Sequence, residues 1–244
     1  RDAMLITWMN RLPAVELTLD DASGISGRIY RHYAHFGVAV RAFVMPSDLP
    51  STIVMAISLE EDPSRPANVV GLGCHPNPSI ALLKALFELC QGRPAEASRF
   101  KSKPPQGRLN NYEDVLTLDD HSAFTSQMDR RHEFEFLWHT GEKKRVEDLP
   151  DWSTGDAAED LQRCGTELAA KGHRPAYVEL TTPDLVEYGI HVVRVIAPGL
   201  QPVHFGHGQE RLGGERLFKL PQQLGFAEGV RTESDLNPCP HPLA

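Results

Sequence analysis

Lys84, Glu88 and Gln91 stand at i, i+4 and i+7 in the segment Ser79–Gln91, and on a helix these positions share one face. Arg93 follows just past the expected helix end. A cation, a carboxylate, an amide and a second cation in line can hold a metal-bound phosphate chain, with Glu88 on Mg2+ and Lys84 and Arg93 on phosphate oxygens. The same spacing also describes a solvated face carrying an ordinary Lys84–Glu88 pair, worth about 0.2–0.5 kcal/mol. Spacing alone leaves both open.

A second set lies at the end of the chain. Pro238-Cys239-Pro240-His241-Pro242-Leu243-Ala244 places proline at every second position. Each proline fixes φ and restricts the residue before it, so the segment is extended and stiff. At about 3.1 Å per residue, five such residues carry the terminus roughly 15 Å along a defined line. The carboxylate of Ala244 is then placed to serve a site as a base or an orienting group. The competing expectation is a frayed end.

Other chemistry finds less support. No GxxxxGK[ST] occurs, and Gly71-Leu72-Gly73 runs into Cys-His-Pro without a third glycine, so any nucleotide must be held by helix-borne side chains. His204 and His207 lie three apart and His241 follows Cys239 by two, but a third metal ligand cannot be placed, and the imidazoles read as hydrogen-bonded or surface groups. Glu133 beside His132 is no HExxH, and GxSxG is absent. Cys74, Cys90, Cys164 and Cys239 are too dispersed for a disulfide scaffold and form no CxxC, which fits free thiols in the cytosol.

The elements that must position these residues follow from periodicity and turn signals. Residues 2–10 read as a helix ending near Pro13, and 23–36 as a second. Three β-type runs follow, Val38–Val44, Thr52–Leu59 and Asn68–Leu72. Residues 79–91 form the clearest helix, capped by Asn77, opened by Pro78 and ended by Gly92 and Pro94, with Ile80, Leu83, Leu86, Phe87 and Cys90 as its apolar stripe. Residues 92–126 and 141–155 read as loops, 133–137 as a short strand, and 156–171 as an amphipathic helix. Ala176–Leu180 and Ile190–Ala197 read as strands, the second apolar enough to be central. The remainder reads as loop. Alternating strands and helices make the fold α/β or α+β, expected as one domain over residues 1–244.

Composition closes off two function classes. With 25 Lys+Arg against 33 Asp+Glu the net charge is −8, and an acidic chain without a basic stripe is a poor nucleic-acid binder. No stretch reaches the roughly 18 apolar residues of a membrane span.

Taken together these segments resemble the YcaO family, and within it the azoline-forming peptide cyclodehydratases. Arg1-Asp2-Ala3-Met4-Leu5-Ile6-Thr7-Trp8-Met9-Asn10-Arg11-Leu12-Pro13 resembles the family's second conserved helix just after the glutamates of its ExxER. Glu88-Leu89-Cys90-Gln91-Gly92-Arg93 is similar to its ExxQxR. Asp120-His121-Ser122-Ala123-Phe124 resembles DHxxFY, with Thr125 in place of the tyrosine. Thr181–Asp184, His191–Pro202 and Arg211–Leu217 continue the likeness in order, and the ending resembles the PxPxP terminus.

The resemblance implies a YcaO-type mixed sheet with packed helices, binding ATP and Mg2+. It assigns Arg1, Lys84, Glu88, Gln91 and Arg93 to the nucleotide, with Glu88 on the metal. It assigns Pro238, Pro240 and Pro242 to cyclodehydration, beside the expected role of the terminal Ala244 carboxylate. The implied reaction adds a Cys, Ser or Thr side chain of a ribosomally made precursor peptide to the preceding amide. ATP phosphorylates the resulting oxygen, and phosphate leaves to give a thiazoline or oxazoline. Thioamide or amidine formation, and a non-catalytic peptide-presenting subunit, are the alternatives. A leader-binding E1-like protein or fused domain is the implied partner, with a flavin dehydrogenase acting afterwards and a homodimer as the assembly allowed for. Residue 1 reads as mid-helix, uncapped and without an initiator Met. The family's first motif, SxxExxER, and the glutamates of the second are therefore expected upstream, and these 244 residues alone are expected to be inactive.

Overall fold

The computed structural model describes residues 1–104, 109–139 and 141–243. The described chain divides into two compact units where the sequence suggests one domain: residues 1–152 with 201–244, and residues 153–200.

The larger unit opens with α1 (Asp2–Asn10), β1 (Val15–Leu17) and α2 (Gly24–His35), followed by β2 (Ala39–Val44), β3 (Thr52–Leu59) and β4 (Asn68–His75). Strand β1 is short enough to escape periodicity. The next element, α3, spans Pro78–Ser102, and this corrects the expected loop at residues 92–126. Asn77 caps α3 through Oδ1, which accepts from the Ile80 N–H at 3.1 Å, and Pro78 occupies the first turn, both as expected. Gly92 and Pro94 do not end it. An interior proline costs about 3 kcal/mol, against which the following turns bury the apolar side chain of Phe100.

Beyond α3 lie α4 (Leu118–Thr125) and a 3-10 segment over Met128–Trp138 where a strand is expected at 133–137. The Glu-Phe-Glu-Phe alternation misleads there. Phe134 and Phe136 both turn inward and meet Trp8 edge-on, with centroids 5.0 and 5.5 Å away.

A two-residue strand, β5 (Lys143–Lys144), completes a mixed sheet of order β4-β3-β2-β1-β5, antiparallel throughout except for the parallel β1–β5 pair. Alternation along β3 sends Val54 and Ala56 to one face and Ile53, Met55 and Ile57 to the other. The first face packs on α3. The second packs on α1, α4, the 3-10 segment, Cys239 and Leu243.

The apolar stripe of α3 is not the expected one. Ala81, Leu82, Ala85, Leu86 and Leu89 are buried, while Ile80 and Phe87 are 40% and 44% exposed. The cause is on β4. A Cβ on Gly73 would fall 1.9 Å from the Ala81 carbonyl oxygen, and one on Gly71 2.4 Å from that of Ala85. Glycines on the strand facing alanines on the helix bring the two backbones into contact, so Gly71-Leu72-Gly73 serves helix–strand packing.

The smaller unit holds α5 (Ala157–Ala170), β6 (Ala176–Glu179), α6 (Pro183–Val186) and β7 (Val193–Ile196). Among the described residues, strands β6 and β7 pair only with each other. The expectation that residues 190–197 form a central strand is corrected, since Val193, Val195 and Ile196 are at least half exposed. In the larger unit, α7 (Glu215–Gln223) replaces expected loop and buries Leu217 and Leu220 against Ile6, Met9 and Leu12 of the α1 region. No helix among the described residues is long and apolar enough to cross a membrane.

Candidate functional site

Strand β4 is an edge strand, so its outward N–H groups have no ladder partner. One of them, Leu72 N–H, donates to Glu88 Oε2 at 3.0 Å. The close packing allowed by Gly71 and Gly73 is what brings Glu88 within reach. Its second oxygen has no protein hydrogen bond among the described residues.

A cavity of about 270 Å³ runs along this edge between the two layers. Glu88, Gln91, Glu96 and Arg99 of α3 form one wall, Ser122 and Thr125 of α4 another, and Pro242 and Leu243 of the C-terminal segment a third. Two distant parts of the sequence, the α3 stripe and the proline-spaced tail, therefore share one space.

Glu96 and Arg99 escape the sequence reading because the helix was expected to stop at Gly92. Buried Leu82, Leu89 and Glu96 follow one another at intervals of seven, which carries a core-facing helix periodicity through Pro94 and puts a carboxylate at a core position. That pattern was the available signal. Glu96 is 5% exposed, and its Oε2 accepts from Ser122 Oγ at 3.1 Å and from Arg99 Nη1 at 3.3 Å. Arg99 also pairs with Asp119 at 3.2 Å. Burial pushes the Glu96 carboxyl above the usual range, and Arg99 and Ser122 oppose that only in part.

The remaining candidates divide. Lys84 is exposed and outside the cavity wall. Arg1 is exposed at the head of α1 and is not among the residues that line the cavity. Arg93 does not join the stripe. With α3 continuing past it, the side chain turns to the other side, where it is 11% exposed, pairs with Glu60 at 2.9 Å and bonds Ser58 Oγ at 3.1 Å. It lines a separate cavity with Tyr33 and Cys90. The expected placement of Arg93 beside Lys84 and Glu88 on one phosphate chain is thus corrected. The physical cause is rotation: five residues along a helix turn a side chain about 140°.

The tail is not frayed. Pro240, His241, Pro242 and Leu243 are buried, Pro238 is exposed, and Ala244 lies outside the described residues. Trp8 Nε1 donates to the Cys239 carbonyl at 2.8 Å, and Asn237 N–H donates to the Met9 carbonyl at 2.7 Å. His121 and His241 fix the rest. Gly206 N–H donates to His121 Nε2 at 2.9 Å, which leaves His121 Nδ1 to donate to the His241 carbonyl, also at 2.9 Å. Leu243 N–H donates to His241 Nδ1 at 3.3 Å, so His241 Nε2 donates to the His204 carbonyl at 2.7 Å. Both rings are neutral in this arrangement, and burial lowers both pKa values. Among the described residues no group of three His, Cys, Asp or Glu side chains is placed to hold a metal by itself.

The segment Arg211–Leu217 anchors α1. Arg216 forks onto Asp2 at 2.9–3.1 Å, and Asp48 pairs with it from the other side. Burial alone would lower the Arg216 pKa, but the two carboxylates raise it on balance.

A family model described as YcaO cyclodehydratase, ATP- and Mg2+-binding, matches residues 1–201. A protein of Methanothermobacter thermautotrophicus, described as uncharacterized, is 28% identical over 225 residues, covering 87% of this chain and 52% of the relative. Among solved structures, a heterocyclase in complex with substrate and cofactor superposes with a TM-score of 0.77 at 24% identity, covering all of this chain and 30% of that one. YcaO from Methanopyrus kandleri, bound with AMPPCP and Mg2+, gives a TM-score of 0.59 at 22% identity over 82% of this chain and 48% of that one. These structures share the mixed α/β fold. The chain spans about half the length of the curated relative.

Proposed function

The chain belongs to the YcaO family, and on that footing we propose that it supplies the nucleotide-facing and tail-bearing walls of an ATP-dependent peptide cyclodehydratase. One observation carries the reading. Glu88 and Gln91 of α3 and the end of the proline-spaced tail line the same cavity, so a nucleotide-facing surface and the segment tied by resemblance to cyclodehydration flank one space.

The family is ATP- and Mg2+-binding, and the residues present fit that group. Mg2+ is commonly held by one or two carboxylates, with waters and substrate phosphates completing the shell. Glu88 offers one untied carboxylate oxygen and Gln91 an amide oxygen on the same wall. Bound there, Mg-ATP supplies an activated phosphoryl group that turns a poor leaving group into a good one. The chain's own part is to orient the nucleotide through α3 and to hold the tail rigidly against it through Trp8, His121 and His241.

The proposed substrate is a ribosomally made precursor peptide whose Cys, Ser or Thr residues become thiazolines or oxazolines. A leader-binding E1-like protein or fused domain would present it, and a flavin dehydrogenase would oxidise the product. Mass spectrometry of the full-length protein with its partner and peptide, with and without Mg-ATP, tests the reading. Loss of one water per modified residue, only with ATP, is the expected result. An oxygen-for-sulfur exchange would indicate thioamide formation instead, and an unchanged mass with ATP bound would indicate a peptide-presenting subunit.

A further inference from the structure

Two carboxylates of α3 face the cavity in contrasting settings. Glu88 is exposed, its Oε2 tied to the Leu72 N–H. Glu96, two turns further on, is 5% exposed, its Oε2 tied to Ser122 Oγ and Arg99 Nη1. Glu96 Oε1 has no protein partner among the described residues, and the side chain lines the cavity beside Pro242 and Leu243. Holding one oxygen with two donors fixes the carboxyl plane and leaves the other free for a proton. Arg99, itself anchored by Asp119 at 3.2 Å, keeps the group aimed. When environment separates two acids in one site in this way, they suit separate tasks, the wet one for cations and the dry one for protons.

We propose that Glu96 is the general base that takes the proton from the attacking side chain of the substrate peptide. This rests on the cyclodehydratase reading above. As the Cys, Ser or Thr side chain adds to the carbonyl carbon of the preceding amide, its S–H or O–H bond breaks and the proton passes to Glu96 Oε1. A new S–C or O–C bond forms, and the carbonyl π pair moves onto oxygen. That oxygen is the one ATP phosphorylates, releasing ADP. Its C–O bond then breaks with loss of the amide N–H proton to the departing phosphate, closing the C=N bond, and Glu96 returns its proton to water. A carboxyl raised by burial is a stronger base than an ordinary glutamate, and base catalysis is most efficient as the pKa nears the working pH. Ser122 and Arg99 are positioning residues in this scheme.

The test exploits the different acidities of the nucleophiles. A cysteine thiol ionises by itself near pH 8.5, whereas a hydroxyl does not ionise in the working range and depends on the base. Full-length wild-type and Glu96→Gln proteins are compared on two peptides carrying Cys or Ser at the same position. The expected result is a loss of about 100-fold or more on Ser. The loss on Cys is smaller and recovers as pH rises toward 8.5, with Mg-ATP affinity by calorimetry unchanged. Infrared difference spectra of wild type minus E96Q should show one carboxylic acid band titrating above the ordinary glutamate range. Ser122→Ala, which removes one of the two donors and keeps the carboxyl, should shift the Ser-to-Cys ratio in the same direction by less. Equal losses on both peptides with an unmoved pH profile would overturn the assignment, as would weaker ATP binding in E96Q. A wild-type protein that closes neither ring while binding Mg-ATP would overturn the cyclodehydratase reading, and the base role with it.

Discussion

The imidazole of His241 stacks on that of His121 with ring centroids 4.1 Å apart and 20° between planes. Each ring spends one nitrogen on accepting a backbone N–H and the other on donating to a carbonyl, so neither accommodates a second proton without breaking a bond to the tail or to the loop at Gly206. Burial, and then the neighbouring His121, bring the His241 pKa down to about 3.

The pH dependence follows with a definite sign. The unfolded chain takes up protons on its histidines near pH 6.5, while folded His241 resists until about pH 3. The stabilisation is complete above 6.5 and is lost as pH falls between those values, at up to about 1.4 kcal/mol per pH unit for this group. Thermal melts between pH 7.5 and 4 should show a fall in Tm that His241→Phe flattens. A His241→Phe protein with the same acid slope as wild type would exclude this group as the cause.

Gly73→Ala should destabilise the protein by about 2–4 kcal/mol or displace α3, since its methyl would meet the Ala81 carbonyl at 1.9 Å. Gly92→Ala is the matched control. Its methyl would find Val69 Cγ1 at 3.7 Å, an ordinary contact. Urea denaturation of the two variants should separate them by at least about 2 kcal/mol.

Glu88→Gln keeps an acceptor for the Leu72 N–H and removes the charge. Stability should stay within about 0.5 kcal/mol of wild type, because the side chain is exposed. In the full-length protein Mg-ATP affinity should drop at least about tenfold, in line with loss of a ligating group. Calorimetric titration checks both the affinity and its Mg2+ dependence.

Arg93→Ala should act through stability. It would leave Glu60, whose side chain is 8% exposed, without its closest guanidinium. Breaking a buried pair costs about 3–5 kcal/mol. Replacing both partners, Arg93→Met with Glu60→Leu, should restore most of that loss. A folded Arg93→Ala protein with weakened ATP binding alone would contradict the structural role.

The order of elements, the Asn77 cap and the chemistry of the α3 stripe are local properties. Periods of two and 3.6, a capping side chain and a first-turn proline each act over a few residues, so sequence by itself determined them. So did the stiffness of the tail, which follows from proline φ alone. What only tertiary structure decided depends on distant partners. The continuation of α3 through Gly92 and Pro94 needs the buried seat of Phe100. The inward face of α3 is set by glycines on β4, and the turning of Arg93 toward Glu60 follows from the helix running on. Above all, the meeting of Glu88 with Pro242 spans more than half the chain. It exists because an edge strand, a helix on one face of the sheet and a tail pinned to the other by Trp8 and His121 leave one cleft between them.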